Sequence, residues 1–333
     1  MIHLAVQGLA RRRGRTAAAI VGIALAVALA YVMAGVTSGF DREVDRTLDA
    51  LGSGLSTPEG ASGLLTGGMV DQTTGPEGSQ PLLFSRDIAP GGELDLNLFG
   101  LDHPAVDVMA GKPDPGPGEI VIDESAGVEL GDTVELKGTP LEVVGLTSGV
   151  RLYAGGPVAF TSVRDMQDIY YGSQRGAMAF VGGDVAGASG LKSISRAAAR
   201  ADLIRPVQGA VVSLTLIRTL LWIMVGGIVL STGRMAILDR RQELAALRCL
   251  GATGRALGLT LAFEGALISL IGAVWGVNLG MALAPLFPLE VVRSIPATAS
   301  ILGLSVAVSL VAGLLAGWQV TRLPPAAAFR GAR

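Results

Sequence analysis

Hydrophobic side chains in this 333-residue chain gather into four long runs, at residues 16–38, 207–237, 257–287 and 297–318. A bilayer core about 30 Å thick is crossed by roughly 20 apolar residues rising about 1.5 Å each. Every run reaches that length, so the pattern predicts four transmembrane helices in a one-plus-three arrangement. The second includes an outward stalk, with its most apolar part at residues 219–230. In the long interval between the first two spans the period shortens. EIVID (119–123), TVELK (133–137), LEVV (141–144) and PVAFT (157–161) are β-branched or alternating runs bounded by turn residues such as Gly131–Asp132 and Gly138–Thr139–Pro140. Ser162 is placed to cap a helix beginning VRDMQDIYY, and residues 192–203 read as a helix leading to the second span. Residues 51–81, rich in Gly, Ser and Thr, read as flexible. Residues 39–206 are thus expected to form a separate mixed α/β domain.

Composition supports a membrane protein: 50% of residues are hydrophobic and 16% charged, against about 25% charged in soluble domains. The distribution of charge orients the spans. Arg11, Arg12, Arg13 and Arg15 lie in a basic amphipathic N-terminus, residues 1–15. Arg234, Arg240, Arg241, Arg248 and Arg255 lie at and between the ends of the second and third spans. Arg322, Arg330 and Arg333 lie in the tail, residues 319–333. Arginine favours cytoplasmic loops, so both termini and residues 238–256 are expected inside and the loop 288–296 outside. Residues 39–205, also outside, carry 24 of the 28 acids and 12 of the 26 basic residues. RRRGR followed by an apolar run and Ala28–Leu29–Ala30 also resembles a signal peptide with its cleavage site. The run continues to Val36, which favours a retained helix.

Recognisable catalytic chemistry is sparse. No G-x-x-x-x-G-K-[ST] loop, H-E-x-x-H or G-x-S-x-G occurs. One cysteine, Cys249, excludes an internal disulfide, and two histidines leave little for a metal centre. The chain is therefore read as non-catalytic, with no cofactor of its own and nothing directed at nucleic acid. Within the spans, Arg218 and Arg234 are 16 residues apart, about 24 Å of helix, so both can anchor at opposite interfaces. Glu264 is the one acid well inside a span and is expected to pair with an arginine or a backbone donor. Gly272, Gly276 and Gly280 form a small-residue stripe of the kind that lets helices approach closely. They are candidate packing residues, within one bundle or between two subunits.

The charged strip ILDRRQELAALRCLGAT, residues 237–253, interrupts this apolar pattern. As a helix it sets Arg241 and Arg248 on one face, Leu244 and Leu247 on an adjacent one, and Gly251 at its C-terminal cap. Such a helix can lie on membrane lipid or dock in a groove of another protein.

RRQELAALRCLGATGRAL followed by LAFEGALISLIGAVWGVNLG resembles the signature of the FtsX-like (MacB/lipoprotein-release type) ABC transporter permeases, at Arg240, Glu243, Leu244, Leu247, Arg248, Gly251, Ala252, Glu264, Gly272, Gly276 and Gly280. LARRRGRTAAAIVGIALAVAL, RLPPAAAFRG and GEIVIDESAGVELGDTVELKGTPLEVVGLTSG are similar to the family's N-terminus, tail and outer segment. The resemblance implies a permease subunit in a bacterial cytoplasmic membrane, paired with a second permease subunit. A separate ABC ATPase would bind ATP and magnesium. Arg240, Arg241, Glu243, Leu244, Leu247, Arg248 and Gly251 would then form the coupling helix that touches the ATPase. It implies mechanotransmission, with export or extraction of a hydrophobic or amphiphilic substrate. The alternatives are a non-transporting relay to an extracellular cell-wall hydrolase or sensor, and a membrane-anchored scaffold.

Overall fold

The computed structural model describes residues 13–65, 68–88, 95–185, 190–239, 246, 250–251, 253–286 and 295–321. They divide into two compact units, residues 1–38 with 211–333 and residues 39–210.

Four long helices are apolar enough to cross a membrane. Helix α1 is Arg13–Leu51. Its apolar part lies in the first unit together with most of the later helix Gln208–Asp239, and with helices Gly254–Leu283 and Ile295–Thr321. Ile23, Val27, Val225, Val229, Ala273, Val277 and Ala312 form the buried centre of this bundle. Buried hydroxyls join two of its helices. Ser269 and Ser305 are joined hydroxyl to hydroxyl at 2.8 Å, and Ser309 Oγ donates to the Ser305 carbonyl.

In the second unit α1 continues past the apolar run that ends at Ser38 and stops only at Leu51. Phe40, Val44, Leu48 and Leu51 recur at helical spacing and are buried, so a second, amphipathic segment extends the same helix. Thirteen short strands follow, here β1 (Ser56–Pro58), β2 (Val70–Asp71), β3 (Gln80–Ile88), β4 (Asp95–Gly100), β5 (Val108–Gly111), β6 (Glu119–Asp123), β7 (Thr133–Leu136), β8 (Thr139–Thr147), β9 (Arg151–Leu152), β10 (Gly156–Thr161), β11 (Gly176–Ala177), β12 (Ala179–Val181) and β13 (Leu191–Ser193). Helix α2 (Val163–Tyr170) follows β10, and α3 (Arg196–Ile204) follows β13. Helices Gln208–Asp239, Gly254–Leu283 and Ile295–Thr321 are then α4, α5 and α6.

Eleven strands form one mixed sheet in the order β13-β1-β12-β3-β4-β10-β6-β8-β5, with β7 on β8 and β9 on β10. The β10–β4 and β6–β8 pairs are parallel, and the other pairs are antiparallel. Strand alternation sends Leu82, Phe99, Val121 and Phe160 to one face and Leu83, Leu98, Ile120, Ile122 and Ala159 to the other. The first face is covered by Val44, Leu48 and Leu51 of α1 with Ala199 and Leu203 of α3. The second is covered by Val163 and Met166 of α2.

Local signals account for the turns and caps. Ser162 Oγ accepts from the Asp165 N–H at 3.1 Å and caps α2. Lys137 (φ 45°) and Gly138 (φ 85°) make the tight β7–β8 turn, with both central residues in the left-handed region. The helix expected over 192–203 begins at Arg196, because Leu191–Ser193 is instead strand β13, paired with β1. The described part of residues 51–81 is packed, where composition suggests a flexible stretch. Leu55, Ser56, Thr57 and Leu64 are buried, and β1 sits between β12 and β13. Sparse apolar residues serve here because Leu51, Leu55, Ala61 and Leu64 are buried.

Candidate functional site

Arg240, Arg241, Glu243, Leu244, Leu247 and Arg248, the expected partner-contacting strip, lie outside the described residues. Its end is described. The Leu250 N–H donates to the Ala246 carbonyl at 3.0 Å, and Gly251 follows at φ 95°, the left-handed conformation that ends helices with glycine. Leu250 is strongly exposed. Thr253 Oγ1 then accepts from the Ala256 N–H and starts α5.

On α5 the three glycines face α1 of the same chain. A Cβ at Gly272 would lie 2.8 Å from Ile23 Cγ2, one at Gly276 2.6 Å from the Ala24 carbonyl oxygen, and one at Gly280 2.9 Å from Tyr31 Cδ1. Backbone meets backbone at that spacing, as small-residue stripes permit. Glu264, eight residues before Gly272 and so more than two turns away, is buried and lines a cavity of about 30 Å³ with Ala19, Thr232, Leu261, Ile268 and Gly313. That volume holds about two waters at 10–15 Å³ each, so the bundle contains room to hydrate the carboxylate. Arg218 lies on α4, half-buried. Glu264 and the glycines share one helix, and Arg218 is on another.

The richest polar constellation among the described residues lies in the second unit, around α1 residues 41–49. Asp41, Asp45 and Asp49 recur every four residues and so line one face of the helix. Arg196 and Arg200 of α3 have the same spacing. Arg196 Nη1 meets Asp49 Oδ1 at 2.6 Å, and Arg200 meets Asp41 at 2.7 Å and Asp45 at 3.1 Å. Arg196 Nη2 also donates to the Asp45 carbonyl.

Glu43, Arg46 and Thr47 occupy the opposite face and hold the β9–β10 hairpin. Arg46 Nη1 donates to the Gly149 carbonyl, Thr47 Oγ1 donates to the Arg151 carbonyl, and Glu43 Oε2 accepts from the Ala154 N–H at 3.2 Å. Tyr153 (φ 56°), Ala154 (φ 72°) and Gly155 (φ 88°) form that turn. Two non-glycine residues there are costly in isolation, and the Glu43 carboxylate is placed to hold one of them. The hairpin is tied in turn to the sheet. Wholly buried Asp123 accepts from the Val150 N–H at 2.8 Å and from Arg151 Nε at 3.2 Å. Ion pairs and hydrogen bonds thus link α3 to α1, α1 to the β9–β10 hairpin and the hairpin to β6. The four-residue repeats of Asp and Arg are visible in the sequence, but residues 41–49 and 196–200 are about 150 positions apart, and only the fold pairs them.

A polar cleft of about 820 Å³ opens on the same unit, bordered by Gln72, His103, Lys112, Arg164, Gln167 and Arg175 among others. No group of three His, Cys, Asp or Glu side chains among the described residues could hold a metal ion.

Residues 215–325 match the family described as FtsX-like permease C-terminal. An uncharacterized ABC transporter permease of Mycobacterium tuberculosis is 30% identical over 226 residues, 67% of this chain and 65% of that protein. One of Mycobacterium bovis is 29% identical over 227 residues, with the same coverage. The chain thus spans just under two thirds of the length of these relatives. Among solved structures, the periplasmic region of MacB from Actinobacillus actinomycetemcomitans aligns over 49% of this chain and 86% of its own, at 15% identity and TM-score 0.31. The extracellular domain of the noncanonic ABC-type transporter YknZ from Gram-positive bacteria aligns over 38% and 90%, at 13% identity and TM-score 0.30. Residues 215–325 are thus similar to the C-terminal segment of FtsX-like permeases, and about two thirds of the chain is similar to ABC transporter permeases.

Proposed function

We propose that this chain is the membrane-spanning subunit of an ABC transporter in a bacterial cytoplasmic membrane, with both termini inside and residues 39–206 outside. A separate ATPase docks on the strip that includes Arg240, Glu243 and Arg248, and a second permease subunit completes the complex. ATP-driven displacement of α4 moves α3, its neighbour in sequence, and the ion-pair ladder on α1 passes that movement to the sheet. The observation that carries this reading is the double-sided grip on α1 residues 41–49, ion-paired to α3 on one face and hydrogen-bonded to the β9–β10 hairpin on the other. Work done outside the membrane, on a hydrophobic or amphiphilic substrate, needs such a mechanical link and no aqueous pore.

The experiment is purification of the tagged chain from its native membrane in mild detergent, with partners identified by mass spectrometry. An ABC ATPase is expected in the complex, and Glu243→Lys and Arg248→Glu are expected to lose it while still inserting. Full retention of partner and activity in both variants would refute the docking role. A second reading, a relay that controls an extracellular partner without transport, is favoured by the charged residues Lys112, Arg164 and Arg175 around the 820 Å³ cleft. A hydrolase or sensor recovered in place of any transported lipid would select it.

A further inference from the structure

The polar cleft lies between the N-terminal end of α2, the end of β5, the loop after β4 and the loop before β11. Its floor is Gln167, wholly buried and fully engaged. Gln167 Nε2 donates to Gln72 Oε1 and to the Gly176 carbonyl, and its Oε1 accepts from Arg175 Nη1 at 3.0 Å. A buried amide thus orients an exposed guanidinium and uses one of that group's five donors. Arg164 stands one turn before Gln167, in the first turn of α2, where the helix dipole disfavours a cation. Its ion-pair partner, Asp168, is 3.9 Å away, beyond hydrogen-bonding distance, and the Arg164 side chain is 70% exposed. Lys112 stands on another wall, held by Glu119 at 2.7 Å.

These cations sit in a segment with 24 acids and 12 basic residues, so the cleft reverses the sign of its surroundings. Two acids share it, and both are engaged. Asp102 accepts from the Val163 N–H at 2.9 Å, and Asp114 lies 3.3 Å from His103 Nδ1. Pro81, Pro115, Pro117 and Val163, with the aliphatic parts of the polar side chains, supply apolar surface between the charged heads. A cation kept where its own helix opposes it is the kind of local conflict expected at a functional position.

We propose that this cleft binds a carboxylate-bearing polar ligand, gripped by Arg164 and Arg175, and that its natural occupant is an acidic peptide segment of an extracytoplasmic partner. Guanidinium groups match carboxylates in charge and in fork geometry. The cleft volume is in the range of about 300–1,000 Å³ that holds ligands of a few residues. The inference rests on the proposed placement of residues 39–206 outside the membrane but not on ATPase docking, and it survives failure of the docking reading.

The test uses the full chain in nanodiscs of neutral phosphatidylcholine, titrated calorimetrically with hexaglutamate and separately with inorganic phosphate. Hexaglutamate is expected to bind, to weaken as salt rises, and to weaken at least tenfold in Arg164→Gln/Arg175→Gln. The Arg164→Lys/Arg175→Lys variant is expected to recover part of that loss. Both variants should still fold, with a midpoint lowered modestly by the change at Arg175, which donates to buried Gln167 Oε1, and Arg164→Gln alone should keep the parent's midpoint because that side chain is exposed. Phosphate binding without hexaglutamate binding would overturn the peptide assignment and leave a small-oxyanion site. No binding of either probe, or binding unchanged in the Gln variant, would overturn the site.

Discussion

Gly276→Ala is a sharp test of the bundle. The added methyl would stand 2.6 Å from the Ala24 carbonyl oxygen, 2.8 Å from Val27 Cβ and 3.0 Å from Val27 Cγ1. Ordinary carbon contacts begin near 3.4 Å, and neither a helix carbonyl nor a β-branched Cβ can swing aside. The two helices must separate by the better part of an ångström, or α5 must rotate. Overpacking of this kind costs about 1–3 kcal/mol, and the widened α1–α5 seam adds lost dispersion contacts. Gly227 on α4 and Gly303 on α6 are internal controls, with nothing within 4 Å of an added Cβ. There Gly→Ala should be neutral or stabilising, since alanine is the better helix former by about 1 kcal/mol. The assay is reversible unfolding of the full chain in mixed micelles titrated with SDS, with all three variants side by side. Gly276→Ala unfolding at lower SDS than both controls is expected. Equal stability of the three would refute the α1–α5 seam. A weakened dimer with unchanged subunit stability would show that the stripe faces a second subunit instead.

Two further outcomes are expected from the second unit. Arg200→Asp places a third like charge against Asp41 and Asp45. These exposed pairs are worth roughly 0.2–1 kcal/mol each, so thermal stability should fall modestly, and Asp45→Arg on the same background should restore part of it. Full additivity of the two changes would refute the ladder. Glu119 is held below the usual carboxylate range, first by its bond to the Lys112 ammonium and then by the Gly116 N–H. A depressed carboxylate stabilises the fold above its unfolded pKa and loses that contribution as pH falls through its folded one. The stability gap between the parent and Glu119→Gln should therefore be constant from neutral pH to about 5 and close below about 4. A gap that closes on raising the pH instead would contradict that sign.

Much of the fold is legible without coordinates, because some signals act over a few residues. The apolar runs locate all four long helices, since lipid demands an unbroken stretch of about 20 residues. EIVID became β6 residue for residue. TVELK, LEVV and PVAFT fell on β7, β8 and β10, and Ser162 capped its helix. Less of the site is legible. Asp41-x-x-x-Asp45-x-x-x-Asp49 and Arg196-x-x-x-Arg200 are visible as repeats, yet each alone reads as a solvated helix face. The Arg164–Gln167–Arg175 arrangement has no sequence signature, because its floor is set by strand β11 and the turn before it.

What the sequence alone determined is therefore local or governed by lipid: where helices span, where strands alternate, where turns need Gly138 and where a serine caps. What tertiary structure decided depends on partners far along the chain. It set β4 parallel to β10 and β6 parallel to β8, pairings that hydrophobic alternation permits without choosing. It drew Ser56–Pro58 of the Gly- and Ser-rich stretch into the sheet, where β1 gains backbone partners on both sides and Leu55 and Leu64 are buried. It carried α1 on to Leu51, since residues 40–51 find an apolar surface for one stripe, arginines of α3 for a second and a strained hairpin for a third. Periodicity fixes which residues share a face. Only packing fixes what that face meets.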